Sequence, residues 1–345
     1  MTLVRPIIIG LEGEAVTSDE RTWLRELIPY GVILFSRNIR SRTQVQQLTA
    51  EIRELLGDDV AILIDQEGGR VMRLRPPEWP ELPAALEIGK RWRQHQFQGL
   101  EAANALGQII GSSLAELGIT HTCAPVVDLH DSEADPVIGD RAFGTTPAEV
   151  IPLATAFLDG LSQSGVQGIL KHIPGMGRVR VDSHESLPVI DTPISTLEQS
   201  DWLPFQRISG CRWAMTAHVV ISAWDANPVT VSARAIDSIR AHFGDPFLVS
   251  DCLTMGAIAG TIAERVQATL NAGVDLALYS NGSNADRRLA VEAAGSPRLV
   301  REPVPTLKKL PTEQWQMRLQ TLERIGASKM KTVDPTRDQP SEMHD

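Results

Sequence analysis

Cysteine is scarce in this chain. Cys123, Cys211 and Cys252 are three in 345 residues, odd in number and far apart. That pattern argues against a disulfide framework and fits a reducing compartment. No C-x-x-C or H-E-x-x-H is present, so the sequence carries no close-spaced metal signature and no metal is expected. No apolar run approaches the roughly 18 residues that span a bilayer. The start, MTLVRPIIIGLEGE, has a short apolar run broken by Arg5 and Pro6, without the h-region and cleavage site of a signal peptide. A cytoplasmic protein is therefore expected. Excess positive charge is missing too: the formal net charge is -10, which argues against nucleic acid or an anionic membrane as partner. No G-x-G-x-x-G follows the first apolar run. Gly175-Met176-Gly177 lacks the Gly-Lys-Ser/Thr of a phosphate loop. Internal repeats and low-complexity tracts are absent.

What is present is an alternation of short apolar runs and amphipathic segments. Strands are expected at 7–10, 31–35, 60–64, 119–127, 166–170, 213–216, 246–250 and 274–279. Helices are expected at 17–28, opened by a Thr17/Glu20 capping box, and between Ser41 and Gly57. Others are expected over 103–117, from Thr146-Pro147 to Gly165, at 261–272 and at 312–325. Eight strands alternating with helices predict an α/β fold with a parallel sheet, and eight is the count of a (β/α)8 TIM-type barrel. A doubly wound open sheet ranks second. The barrel is expected as a single domain over 1–326, with a flexible polar tail at 327–345.

Polar residues gather just past the strands. Asp65, Asp128, Lys171-His172, His218, Asp251 and Asn281 all take such positions. In a barrel these share the C-terminal rim, where active sites are built. Asp251 reads equally as a carboxylate nucleophile and as a helix N-cap. Asp182-Ser183-His184, in a loop rich in glycine and proline, reads as an orienting pair for an acid/base histidine or as an exposed turn. Lys171-His172 suits substrate hydroxyls or a plain strand end. Asp65 with Arg70 and Arg73 suits a polyol clamp or a rim salt bridge. Arg141 is ambiguous in the same way. His95, His121 and His130 are most simply structural or surface residues.

The ordered set of motifs resembles the bacterial β-N-acetylglucosaminidases of glycoside hydrolase family 3, of the single-domain cytoplasmic type that trims peptidoglycan fragments. It comprises Asp65-Gln66-Glu67-Gly68-Gly69-Arg70-Val71-Met72-Arg73, Arg141-Ala142-Phe143-Gly144, Lys171-His172-Ile173-Pro174-Gly175 with Asp182-Ser183-His184, and Ser250-Asp251-Cys252-Leu253-Thr254-Met255. The resemblance implies Asp251 as nucleophile, His184 as acid/base and Asp182 as its partner. It implies Asp65, Arg73, Arg141, Lys171 and His172 as holders of a terminal N-acetylglucosamine. It also implies a retaining exo-β-N-acetylglucosaminidase with a small carbohydrate or muropeptide substrate and no cofactor. A monomer is expected, since nothing demands a dimer. Two departures stand out: Met176 where the family pattern usually has Gly-His-Gly, and Cys252 where many relatives have a second acidic residue. A phosphorylase using phosphate as acceptor, and a catalytically weak sugar-binding protein on the same barrel, are the alternatives.

Overall fold

The computed structural model describes residues 3–181, 187–300, 302–308 and 311–324. Its strands are β1 (Arg5–Gly10), β2 (Pro29–Leu34), β3 (Ala61–Ile64), β4 (His121–Thr122), β5 (Gln167–Gly168), β6 (Leu170–Ile173), β7 (Val189–Ile190), β8 (Trp213–Thr216), β9 (Val220–Ile221), β10 (Phe247–Cys252) and β11 (Leu276–Tyr279). Nine of them form one sheet in the order β5-β4-β3-β2-β1-β11-β10-β8-β6. Every pairing in it is parallel. The two end strands, β5 and β6, are successive parts of one extended run separated by Ile169. The sheet thus closes on itself as a barrel of eight staves, the expected (β/α)8 architecture. β7 and β9 form a separate two-residue parallel pair.

The side-chain period of two sorts each stave. Ile8, Leu63, Ile169, Met215, Val249 and Leu278 belong to an inner cluster that fills the barrel. Their neighbours Ile7, Ile9, Ile62, Ile64, Leu248 and Ala277 belong to the outer cluster, which packs under the helices. Trp213 closes the inner cluster against Phe247 and His121, with ring centroids 4.5 and 4.7 Å apart.

The helix signals hold where capping chemistry marked them. Ser18–Leu27 carries the full Thr17/Glu20 capping box, and Pro147–Ser162 carries the Thr146/Glu149 box with proline in its first turn. Ser41 caps Arg42–Leu56, which ends at Gly57. The expected fourth strand, 119–127, is much shorter. Regular pairing stops at Thr122, and Pro125 has no N–H to continue a ladder. Isolated bonds carry on instead, from Ile169 N to Ala124 O and from Val127 N to Lys171 O, both 2.9 Å. The fifth strand correspondingly runs on to Ile173 rather than ending at 170. The helix expected at 103–117 starts earlier and spans Gln96–Glu116. Five further helices among the described residues were not expected: Ala85–Gln94, Ile194–Glu198, Leu203–Arg207, Ala233–Phe243 and Asn284–Ala293. The last helix, Thr312–Arg324, buries Leu322 and leans Trp315 and Leu319 on the core. The tail from 327 lies outside the described residues. No helix among the described residues is long and apolar enough to cross a membrane.

Candidate active site

The inward alternation explains where the site is. Two residues past Ile33, Leu63, Ile169, Val249 and Leu278 stand Phe35, Asp65, Lys171, Asp251 and Ser280, and all five line one cavity of about 920 Å³. On four of these five staves the apolar interior thus gives way to a polar side chain at the C-terminal rim, and on β2 it ends at Phe35. A strand-end aspartate or lysine here points into the barrel mouth.

A chain of charges crosses this mouth. Arg73 donates to Asp65 Oδ2 at 3.0 Å, and Lys171 Nζ reaches Asp65 Oδ1 at 3.2 Å. Lys171 Nζ also lies 2.6 Å from Glu67 Oε1, and Arg141 grips Glu67 with two parallel bonds of 2.8 and 2.9 Å. Burial alone would raise both carboxyl groups. Lys171 and Arg73 outweigh it at Asp65, which is held well below the usual carboxylate range. Lys171 and Arg141 do the same at Glu67, lowering it from 4.5 to about 2. Burial tends to lower Lys171, but the facing Glu67 and Asp65 raise it overall.

The loop after β3 brings these groups together. Gly68 and Gly69 have φ of 111° and 56°, a left-handed turn that side chains disfavour. The chain then returns so that Glu67 N bonds Val71 O at 2.9 Å. Buried Gln66 receives Arg73 N and Leu74 N on its Oε1, at 2.9 and 3.0 Å, and so fixes where Arg73 begins. Arg70 does not join Asp65. It pairs with Asp140 at 2.8 Å and caps the carbonyls of Pro136 and Val137, so the expected three-residue clamp has one arginine, Arg73.

Asp251 ends the inward row of β10 and is partly open to the cavity. Its Oδ1 accepts the Cys252 amide at 2.7 Å. Burial pushes its carboxyl up, but His218, His172, that amide and Lys171 together hold it below the usual range. Asp251 lies within β10, so it is not the helix N-cap that its sequence position also allowed. His218 braces the same place, with Nε2 3.1 Å from Cys252 O and Nδ1 2.9 Å from Thr230 Oγ1. Cys252 Sγ touches Thr254 Oγ1 at 3.0 Å and Ser280 Oγ at 2.9 Å, linking β10 to β11.

The segment after β6 is tied down as far as it is described. The Lys171–His172 and Ile173–Pro174 peptide bonds are both cis. Met176 and Val179 are buried, and Met176 also lines the cavity. At Gly177 a Cβ would lie 2.0 Å from Leu129 O, so only glycine permits this approach. Arg178 is spent on Asp201 and Ser200. Asp182 and His184 lie outside the described residues. The structure therefore brings Asp65, Arg73, Arg141, Lys171, His172 and Asp251 to one mouth. It adds Glu67, Asp128 and His218, to which sequence reasoning gave no role. Glu67 carried a usable signal, as the next alternate residue after Asp65.

A parallel barrel with this charged mouth and a carboxylate at the end of β10 is a barrel enzyme's site. A model of the "Glycosyl hydrolase family 3 N terminal domain" matches residues 6–300, and the chain belongs to this family. It is a glycoside hydrolase. It is 37% identical over 330 residues to a beta-hexosaminidase of Chromobacterium violaceum, covering 93% of this chain and 92% of that one. A beta-hexosaminidase of Nitrosospira multiformis is 34% identical over 293 residues, 83% of each chain. Among solved structures, NagZ from Neisseria gonorrhoeae in complex with N-trifluoroacetyl-D-glucosamine superposes with a TM-score of 0.77 at 30% identity, covering 94% of this chain and 96% of that one.

The depressed carboxyl of Glu67 has a pH consequence. A carboxylate whose folded pKa is lowered stabilises the fold fully above its unfolded value, and that stability is lost as pH falls through the folded value. Denaturant midpoints of the wild type should therefore drop between about pH 4.5 and about pH 2. In Glu67→Gln the fall over that window should be shallower. Equal slopes would show that the pairing with Lys171 and Arg141 is not coupled to folding.

Proposed function

We propose that the chain is a retaining exo-β-N-acetylglucosaminidase that removes the terminal non-reducing sugar from peptidoglycan fragments in the cytoplasm. The observation that carries this reading is Asp251, a carboxylate aimed into a cavity shared with Asp65, Arg73 and Lys171. The names of the beta-hexosaminidase relatives support the sugar class.

Asp251 attacks the anomeric carbon and forms a glycosyl-enzyme, while His184, oriented by Asp182, protonates the leaving oxygen. The neutral imidazole then activates water for the second step. Asp65, Arg73, Lys171, Arg141 and His172 hold the sugar's polar groups. Water is the favoured acceptor over phosphate: among the described residues, Arg70, Arg73, Arg141 and Lys171 at the cavity are each already matched to a carboxylate. Among the described residues, an arriving anion meets no unpaired guanidinium there.

Digestion of N-acetylglucosaminyl-β-1,4-anhydro-N-acetylmuramyl peptides, with and without phosphate, tests this. Free N-acetylglucosamine in both reactions is the expected product. Sugar 1-phosphate formed only with phosphate would establish the phosphorylase instead, and untouched muropeptides would remove the substrate assignment.

A further inference from the structure

Asp128 lies at the barrel mouth, 1% exposed, with both oxygens engaged by one short segment of chain. Its Oδ2 accepts His172 N at 3.0 Å and lies 2.8 Å from His172 Nδ1. Its Oδ1 accepts Met176 N at 2.8 Å. The turn between is closed by Gly175 N donating to His172 O at 2.7 Å. One carboxyl group thus holds both ends of the 172–176 turn, which runs from the sugar-facing end of β6 into the segment bearing Asp182 and His184.

We propose that Asp128 is a positioning residue that fixes His172 as the Nδ1–H tautomer and presents its Nε2 to the substrate as a hydrogen-bond acceptor. Both Asp128 oxygens already accept backbone amides, so the carboxyl group acts as an acceptor towards its surroundings. The imidazole facing the same oxygen then supplies the proton from Nδ1, and its other nitrogen carries the lone pair. His172 lines the cavity, so that lone pair suits a donating sugar hydroxyl. The opposite tautomer would offer a donor there and set two acceptors face to face across Asp128. The Met176 bond adds a second consequence: the ring and the loop are held by one group, so a displaced loop displaces the ring.

The catalytic part of this inference rests on the proposed sugar site, whereas the tautomer does not. Asp128→Asn tests both. Asparagine keeps the shape but has one acceptor oxygen and one NH2, so it cannot accept at both ends of the turn. In long-range ¹⁵N–¹H spectra of histidine-labelled protein, at a pH where the ring is neutral, the wild-type His172 signal is expected with its proton on Nδ1. The signal is assigned by its loss in His172→Gln. Observation of the proton on Nε2 in the wild type overturns the proposal, whatever the variant does.

For the variant, kcat/KM on an aryl β-N-acetylglucosaminide is expected to fall roughly tenfold or more, the scale of one lost buried hydrogen bond. The loss should lie mainly in KM, with the thermal midpoint recorded alongside. In the His172→Gln background the same change should add little to KM. Fully multiplicative KM losses would mean that Asp128 acts independently of His172, and would overturn the positioning role. No turnover by the wild type on any N-acetylglucosaminide would instead count against the proposed function and leave the tautomer result standing.

Discussion

Asp251→Ala should retain the fold and lose turnover of aryl β-N-acetylglucosaminides by a factor on the order of 10⁴ or more, the scale seen when a nucleophile is deleted. The reason is positional. Asp251 is the last inward residue of β10, two beyond the core residue Val249, and it opens on the cavity. Its carboxyl is held below the usual range despite burial, because His218, His172, the Cys252 amide and Lys171 favour the anion. The ionised form is the attacking one, so this environment keeps the nucleophile ready near neutral pH. Circular dichroism should match the wild type, since Asp251 lies near the end of its strand and its hydrogen bond among the described residues is to the Cys252 amide. Asp251→Asn should be similarly inactive. Turnover within tenfold of the wild type for Asp251→Ala would place the nucleophile elsewhere.

Glu67→Ala should give the largest stability loss of any single change at the mouth. Arg141 is 12% exposed and Lys171 3% exposed, and Glu67 is the bidentate partner of the first and the nearer partner of the second. Without it, Arg73, Lys171 and Arg141 are left with Asp65 as the one carboxylate of the chain of charges. Removing one member of a buried pair costs about 3–5 kcal/mol, chiefly through the unpaired charge left behind. Chemical denaturation at neutral pH measures this. Arg70→Ala is the control, because Arg70–Asp140 is about half exposed on both sides, where pairs contribute about 0–1 kcal/mol. Comparable losses in the two variants would contradict the account of the cluster. Kinetics should separate them as well, with Glu67→Ala raising KM through displaced Lys171 and Arg141.

Several residues of this site were readable from the sequence, and for a specific reason. Asp65, Lys171 and Asp251 each stand where an apolar run ends, and a parallel barrel gathers those ends on one rim. The sequence alone left Asp251 balanced between nucleophile and helix cap; its place inside β10 excludes the cap. The partnerships were not readable. Arg70 and Arg73 are three residues apart and chemically alike, and the left-handed turn at Gly68-Gly69 decides which meets Asp65. Asp128 was visible as a polar strand-end residue, but its hold on His172 and Met176 depends on barrel closure. The fourth strand was overdrawn because the apolar run continues through Pro125, which cannot donate to a ladder. The helix Ala233–Phe243 did leave a signal, with Ser232 as cap and Ala235, Ile236 and Ile239 on its buried face. So did Asn284–Ala293, through the Ser283/Asp286 capping box. At Met176, the sequence marked a departure from its family's pattern. The structure finds that side chain buried between core and cavity, so Met176 contributes packing where a histidine would add a polar group.

The central claim is a covalent glycosyl-enzyme on Asp251. A fluorinated N-acetylglucosaminyl fluoride, which forms such an intermediate faster than it breaks down, allows the adduct to be located by mass spectrometry of the digested protein. The account predicts one sugar added per chain, on the peptide containing Asp251, and none on Asp251→Ala. A sugar attached to another residue, or turnover of the reagent with inversion at the anomeric carbon and no adduct, would contradict it.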